Sequence, residues 1–231
     1  MQPEGLLSQA VFSIGPISIA QSILTTWLII LLLFLIAWVS TRKLSQQPGN
    51  YQVTLEALFL ALYNAVKDVL PEQVDIVFPF IATLWIFILI SNLLGIIPGL
   101  SSPTADLSVT SSLAILTFLS VHWFGIRIEG VKNYLRHYIQ PSPFILPFHL
   151  ISEISRTLAL AVRLFGNMMS LELTALIVLM VAGFLAPVPI LMLHIVEAVI
   201  QAYIFGMLAL IYIAGGLETQ ALRREKENLN G

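Results

Sequence analysis

The chain has 231 residues, 58% of them hydrophobic and 10% charged, with a mean hydropathy of +0.90. That composition places it in a membrane and excludes a water-soluble globular fold, because several apolar runs are long enough to cross about 30 Å of hydrocarbon at roughly 1.5 Å per residue. A formal charge of -2 argues against a nucleic-acid surface, and the absence of cysteine excludes disulfides, thiolate metal centres and thiol catalysis.

Residues 1–21 form a short, weakly polar lead, too small for an outer domain. The first apolar run, residues 22–41, has no basic residue before it and Arg42-Lys43 after it, the reverse of a cleavable signal peptide. It is expected to be a permanent span with its N-terminus outside. Beyond the polar linker 45–50, residues 51–70 repeat Leu55, Leu58, Phe59, Leu62, Val66 and Val69 at helical spacing, with Glu56, Asn64, Lys67 and Asp68 mostly elsewhere on the wheel. This pattern predicts an interfacial helix. Residues 76–97 make the second span, and the segment from Pro98 to Pro103 turns the chain back. Asp106 or Thr104 is placed to cap the third span, residues 107–126.

Arg127, Glu129, Lys132 and Arg136 follow in a second surface-lying segment that ends at Pro141. The fourth run, residues 144–183, is about 40 residues, or roughly 60 Å as a helix, twice the hydrocarbon thickness. It is therefore expected to tilt strongly or to lie partly in the membrane plane. Ala186-Pro187-Val188-Pro189 turns the chain into a fifth run, residues 190–217, and a tail, residues 218–231. The predicted fold is an all-α integral membrane protein, one domain over residues 1–231. It has about five transmembrane helices plus interfacial helices, the last two spans forming a long tilted hairpin. With the N-terminus outside, Arg42, Lys43, Lys67, Arg127, Lys132, Arg136, Arg223, Arg224 and Lys226 all fall inside, as the positive-inside rule asks. No inverted repeat relates the two halves, which argues against the commonest secondary-transporter plans.

Arg163 stands near the middle of the fourth run. An arginine at mid-bilayer costs about 2.5–3.5 kcal/mol on insertion scales and cannot shed its charge, so a chain that keeps one is expected to use it. At about 100° per residue, Arg156 and Arg163 share a face with Asn167 close by, while Glu172 points to roughly the opposite face. On the fifth run His194, Glu197 and Gln201 form one stripe. Counting back from a turn near Gly183 brings His194 level with Glu172, and Gln201 level with Phe165, near Arg163. A carboxylate, an imidazole and a second carboxylate are thus expected together, a set suited to relaying protons. His149, Glu153 and Arg156 form another stripe that could line a second path to the inside.

Simpler roles stand beside these. Arg163 could pair with Glu172 or Glu197, the polar groups of the last two spans could be interhelical hydrogen-bond glue, and Asp106 could be only a cap. Arg156, His149 and Glu153 could snorkel to the interface. Gly166, Gly206, Gly215 and Gly216 are expected to permit close helix approach, and His122 and His137 have no evident partner. No phosphate loop, nucleophile triad or metal-spaced cluster occurs, so neither cofactor nor metal is expected.

The sequence Arg163-Leu164-Phe165-Gly166-Asn167, with Glu172, His194 and Ile200-Gln201-Ala202-Tyr203-Ile204-Phe205 after it, resembles subunit a of the rotary F-type ATP synthase. Asn92-Leu93-Leu94-Gly95-Ile96-Ile97-Pro98 and Pro103-Thr104-Ala105-Asp106 resemble the same family, and the likeness runs from about residue 50 onward. It implies that Arg163 is the stator arginine facing the carboxylates of a ring of c subunits. It also implies that Asn167, Glu172, His194 and Gln201 line or border half-channels, with Asp106 near the outer mouth; Glu197 and Glu153 rest on the geometry above. The chain would be a non-catalytic subunit, with b-type peripheral-stalk subunits and the rest of the F1Fo complex as partners and H+ or Na+ as the ion carried. Its expected place is a bacterial plasma (inner) membrane, or else a thylakoid or other energy-transducing membrane. The rival classes are a self-contained ion channel or transporter and a structural membrane scaffold.

Overall fold

The computed structural model describes residues 10–14, 17–42, 49–97, 100–131, 146–183 and 186–229. The N-terminal lead is more than a coil. Ala10–Ile14 (β1) and Ile17–Ala20 (β2) pair antiparallel, with Ile14 opposite Ile17 and Ser13 opposite Ser18. Alternating apolar and polar residues around Gly15-Pro16 are a hairpin pattern, and among the described residues the other regular elements are helical.

Helix α1 (Gln21–Thr41) follows at once; its 21 residues reach roughly 31 Å, one hydrocarbon thickness. It is apolar on every side and only 11% buried, so lipid rather than protein covers most of it. At its C-terminal end the Arg42 guanidinium lies 3.5 Å over the Trp38 ring, the pairing of charge and aromatic ring found at a membrane interface. Helix α2 (Asn50–Val69) buries only Val66 and is amphipathic, as an interface-lying helix must be. Tyr63 on α2 donates a hydrogen bond to Asp75 Oδ1 at 2.9 Å, and that bond raises its pKa above the usual phenol value.

Helices α3 (Val74–Leu94), α4 (Leu107–Glu129), α5 (Leu146–Ala182) and α6 (Val188–Leu229) complete the bundle, with a 3₁₀ turn at Pro103–Ala105 between α3 and α4. Together with α1 they give, among the described residues, five helices long and apolar enough to cross a membrane. The 36-residue apolar part of α5 is roughly 54 Å long and must lie far from the membrane normal. Gly183 closes α5 with φ 84°, a left-handed conformation open to glycine, and Pro187 and Pro189 fall at the start of α6, where a missing N–H is harmless.

The core is built where α3 meets α6. Ile81, Trp85 and Ile88 pack with Ala202, Phe205, Ala209 and Ile213 in one buried cluster. In lipid the gain comes from close packing and hydrogen bonds rather than from leaving water, which favours the small residues Ala202, Gly206 and Ala209 on the contact stripe. Helix α6 does not stop at residue 217 but runs to Leu229. The reason is composition, since residues 218–229 are mostly strong helix formers with neither proline nor glycine. The surface-lying segment expected before Pro141 falls outside the described residues beyond Val131, as does His137.

Candidate functional site

The polar groups of α5 and α6 make two hydrogen-bonded sets, with His194 of one and Glu197 of the other three residues apart on α6. In the first, Glu172 and His194 come to the same edge of α3. Glu172 accepts a hydrogen bond from the Ser102 backbone amide at 2.6 Å. His194 is 1% exposed and its Nε2 lies 3.2 Å from the Asn92 carbonyl, which can only accept, so Nε2 donates in this bond. Both side chains border Gly95. Among the described residues no direct hydrogen bond joins Glu172 to His194, and none joins His194 to Glu197.

The second cluster sits one to two turns away. Asn167 Nδ2 donates to Gln201 Oε1 at 2.7 Å and to Glu197 Oε1 at 3.1 Å. Gln201 is 1% exposed, and its Nε2 is a buried donor with no hydrogen-bond partner among the described residues. The split has a physical cause: the α3–α4 connection folds into the bundle and draws Glu172 to its own amide, whereas counting residues along a two-helix hairpin contains no third element.

That connection is itself fixed by buried hydroxyls. Ser102 Oγ donates to the Ser91 carbonyl at 2.8 Å, Thr104 Oγ1 donates to Asn92 Oδ1 at 2.6 Å, and Asn92 Nδ2 reaches the Ala198 carbonyl at 3.4 Å. Thr104, a candidate cap on sequence grounds, therefore serves inside this network. Asp106 is the cap of α4: its Oδ1 accepts from the Ser108 amide at 2.8 Å, and its Oδ2 accepts from Ser22 Oγ of α1 at 2.5 Å. A cavity of about 490 Å³ opens beside Glu172 and His194, lined also by Gly95, Leu100, Ser101 and Pro187. A second, of about 600 Å³, runs between α1, α3 and α4 past Ser22, Thr26, Asp106, Ser108 and Ser112.

Arg163 belongs to neither cluster. It is exposed, at mid-length of α5, and among the described residues it makes no ion pair with Glu172, Glu197 or any other carboxylate. The surrounding exposed face is small: Ser155, Ala159, Gly166 and Ser170 flank it on the same side of α5. A Cβ added at Gly166 would meet nothing within 4 Å, so this glycine makes no close approach to another of the described helices.

Toward the opposite end of the bundle, His122 Nε2 lies 3.7 Å from Glu153 Oε2, which supplies the partner that the sequence did not reveal. Arg156 lies 4.8 Å over the Tyr212 ring, and His149 is exposed. Asn92, Ser102, Ser22 and His122 were not legible as site residues. For Asn92 a signal existed, an amide within an otherwise apolar span that belongs in a bilayer only with partners. Among the described residues no three of His, Cys, Asp and Glu come close enough to hold a metal ion.

Membrane-length helices that enclose a carboxylate and an imidazole, with the Arg163 guanidinium exposed outside both clusters, define a polytopic membrane protein with ionisable groups in its spans. The sequence model of the family "ATP synthase A chain" matches residues 23–214. The chain is 67% identical over 230 residues to ATP synthase subunit a of Legionella pneumophila subsp. pneumophila strain Philadelphia 1, covering 99% of this chain and 100% of the relative. It is 59% identical to ATP synthase subunit a 2 of Pelobacter propionicus, over 94% and 95% of the two chains, and 39% identical to ATP synthase subunit a of Moorella thermoacetica, over 88% and 94%. The chain belongs to the ATP synthase subunit a family: an ion-translocating, non-catalytic subunit of the Fo membrane sector.

Proposed function

We propose that Arg163 is the fixed charge of the stator, opposed to the carboxylates of a rotating c-subunit ring, and that the two polar clusters border the ion's route to that ring. The observation that supports this is the exposure of Arg163 at mid-span with no acidic partner among the described residues. A guanidinium bared to hydrocarbon is costly, so a second chain must supply the acid, and the small residues around it let a partner helix come close. A permanent cation favours the ionised form of a carboxylate beside it. Each ring carboxylate then gives up its ion on reaching Arg163 and takes another after passing it. Arg163 also bars a cation from crossing directly between the two sides.

Glu172 and His194, beside the 490 Å³ cavity, form the outer route, continued toward Arg163 by Asn167, Glu197 and Gln201, with Asp106 near the outer mouth. His149, Glu153 and Arg156 line the inner route, joined by His122. The N-terminus lies outside and the C-terminus inside, in a bacterial plasma membrane, and b-type stalk subunits hold the assembly against the ring's rotation. The carried ion is H+ or Na+, a choice set chiefly by the ring's own site. Each charge that crosses 100 mV delivers about 2.3 kcal/mol for coupling.

The test is Arg163→Ala in the intact complex. Coupled ATP synthesis is expected to vanish while the subunit still assembles. Normal synthesis by that variant would refute the stator role and favour a scaffold; ion flux by the isolated subunit in liposomes would favour a self-contained channel.

A further inference from the structure

We propose that the α3–α4 connection is a positioning device for Glu172: the Ser102 backbone amide fixes the carboxylate, and Gly95 keeps open the space it occupies beside His194. The inference rests on the reading of Glu172 as an ion-carrying group and adds the residues that place it.

Three observations meet here. The 2.6 Å bond from the Ser102 amide to Glu172 Oε1 is short and, with a carboxylate acceptor, charge-assisted. Ser102 is 3% exposed and Thr104 fully buried, and both are tied by hydroxyls to Ser91 and Asn92 in the last turn of α3. The amide is therefore held from behind by the same helix end that leads into Gly95. Finally, a Cβ at Gly95 would stand 2.8 Å from Glu172 Oε1 and 3.1 Å from His194 Cε1. Gly95 has ordinary right-handed helical angles, φ -64° and ψ -10°, so its backbone does not call for glycine and the space does. The titratable groups around Glu172 are His194 on α6, across the Gly95 edge, and Glu197 beyond it, held by Asn167.

A mere tether between α5 and the connection would account for the hydrogen bond alone. A positioning role further requires that moving the carboxylate alter ion transfer in an assembled complex, and backbone chemistry allows a clean separation. Ser102 has φ -64° and ψ 129°, angles proline adopts, so Ser102→Pro deletes the N–H and puts a ring carbon where the carboxylate oxygen rests. Ser102→Ala keeps the amide and deletes only the hydroxyl.

The experiment measures passive proton conduction and its pH profile in membrane vesicles carrying the complete F1Fo complex, with assembly read by immunoblot. Ser102→Pro and Gly95→Ala are expected to conduct roughly 10-fold more slowly with a displaced pH profile, since small misplacements of a reacting group have effects of this order. Ser102→Ala, which keeps the N–H but loosens one of the hydroxyl ties behind it, is expected to slow conduction less than Ser102→Pro. If Ser102→Pro does not assemble, Gly95→Ala decides alone. Wild-type flux and profile in assembled Ser102→Pro, or in Gly95→Ala, overturn the proposal. Glu172→Gln separates the two levels: normal conduction in that variant removes Glu172 from the route altogether, whereas impaired conduction there, with the other two normal, removes only the positioning claim.

Discussion

Gly206 lies directly beneath the Trp85 indole. A Cβ added there would fall on the ring, nearer to Nε1 than real side-chain contacts allow. Trp85 is 4% exposed, donates its Nε1–H to the Tyr203 carbonyl at 3.2 Å and stacks on the Tyr203 ring at 6.1 Å, so it has nowhere to move. Gly206→Ala is predicted to expel the indole and destabilise the α3–α6 contact by about 1–3 kcal/mol. At Gly216 the added Cβ would stand 3.5 Å from Val121 Cγ1, an ordinary contact, and Gly216→Ala is predicted to be nearly neutral. Thermal melts of the purified complex in detergent check both, and equal melting of the two variants would contradict the packing argument. In sequence the two glycines look alike. What separates them is a tryptophan more than a hundred positions away, and the same limit hid Ser102 from Glu172 and His122 from Glu153. Helical periodicity sorts the faces of one helix; it does not say which loop folds against a face.

Among the elements, α1 is sparsely covered by the rest of the chain, being 11% buried, and Asp106 ties it to α4 through the bond from Ser22. The same carboxylate caps α4, so two effects need separating. Asparagine also caps helices, so Asp106→Asn is predicted to leave stability almost unchanged, while Asp106→Ala loses the cap at about 1 kcal/mol. If Asp106 also stands at the outer mouth, both variants slow proton conduction, and normal flux in Asp106→Asn would leave the residue a cap and a tether. The cap was legible because its rule is local, an acidic residue just before an apolar helical run. Equally local cues existed for the β1–β2 hairpin and for the extension of α6 to Leu229. They were outweighed because apolar content marks only what lies in lipid, and both features lie outside the long apolar runs.

At the scale of the molecule, five crossings alternate in direction, so segments joining successive spans fall on opposite sides of the membrane. The proposed orientation, with the N-terminus outside, puts the α1–α2 linker inside and the α3–α4 connection outside. Basic residues agree, since Arg42, Lys67 and Arg127 follow or end elements on the inner side. The chain has no cysteine, so single-cysteine variants carry no background. Gly49→Cys, in the linker before α2, and Leu100→Cys, in the α3–α4 connection, are both exposed positions. A membrane-impermeant maleimide is predicted to label Leu100→Cys in right-side-out vesicles and Gly49→Cys only in inverted ones. The reverse pattern would invert the chain, and with it the direction of both routes: Glu172 and His194 would then serve the inner side, and the His122–Glu153 pair the outer. Arg163 would keep its place in either case, because a charge at mid-span is equally far from both surfaces.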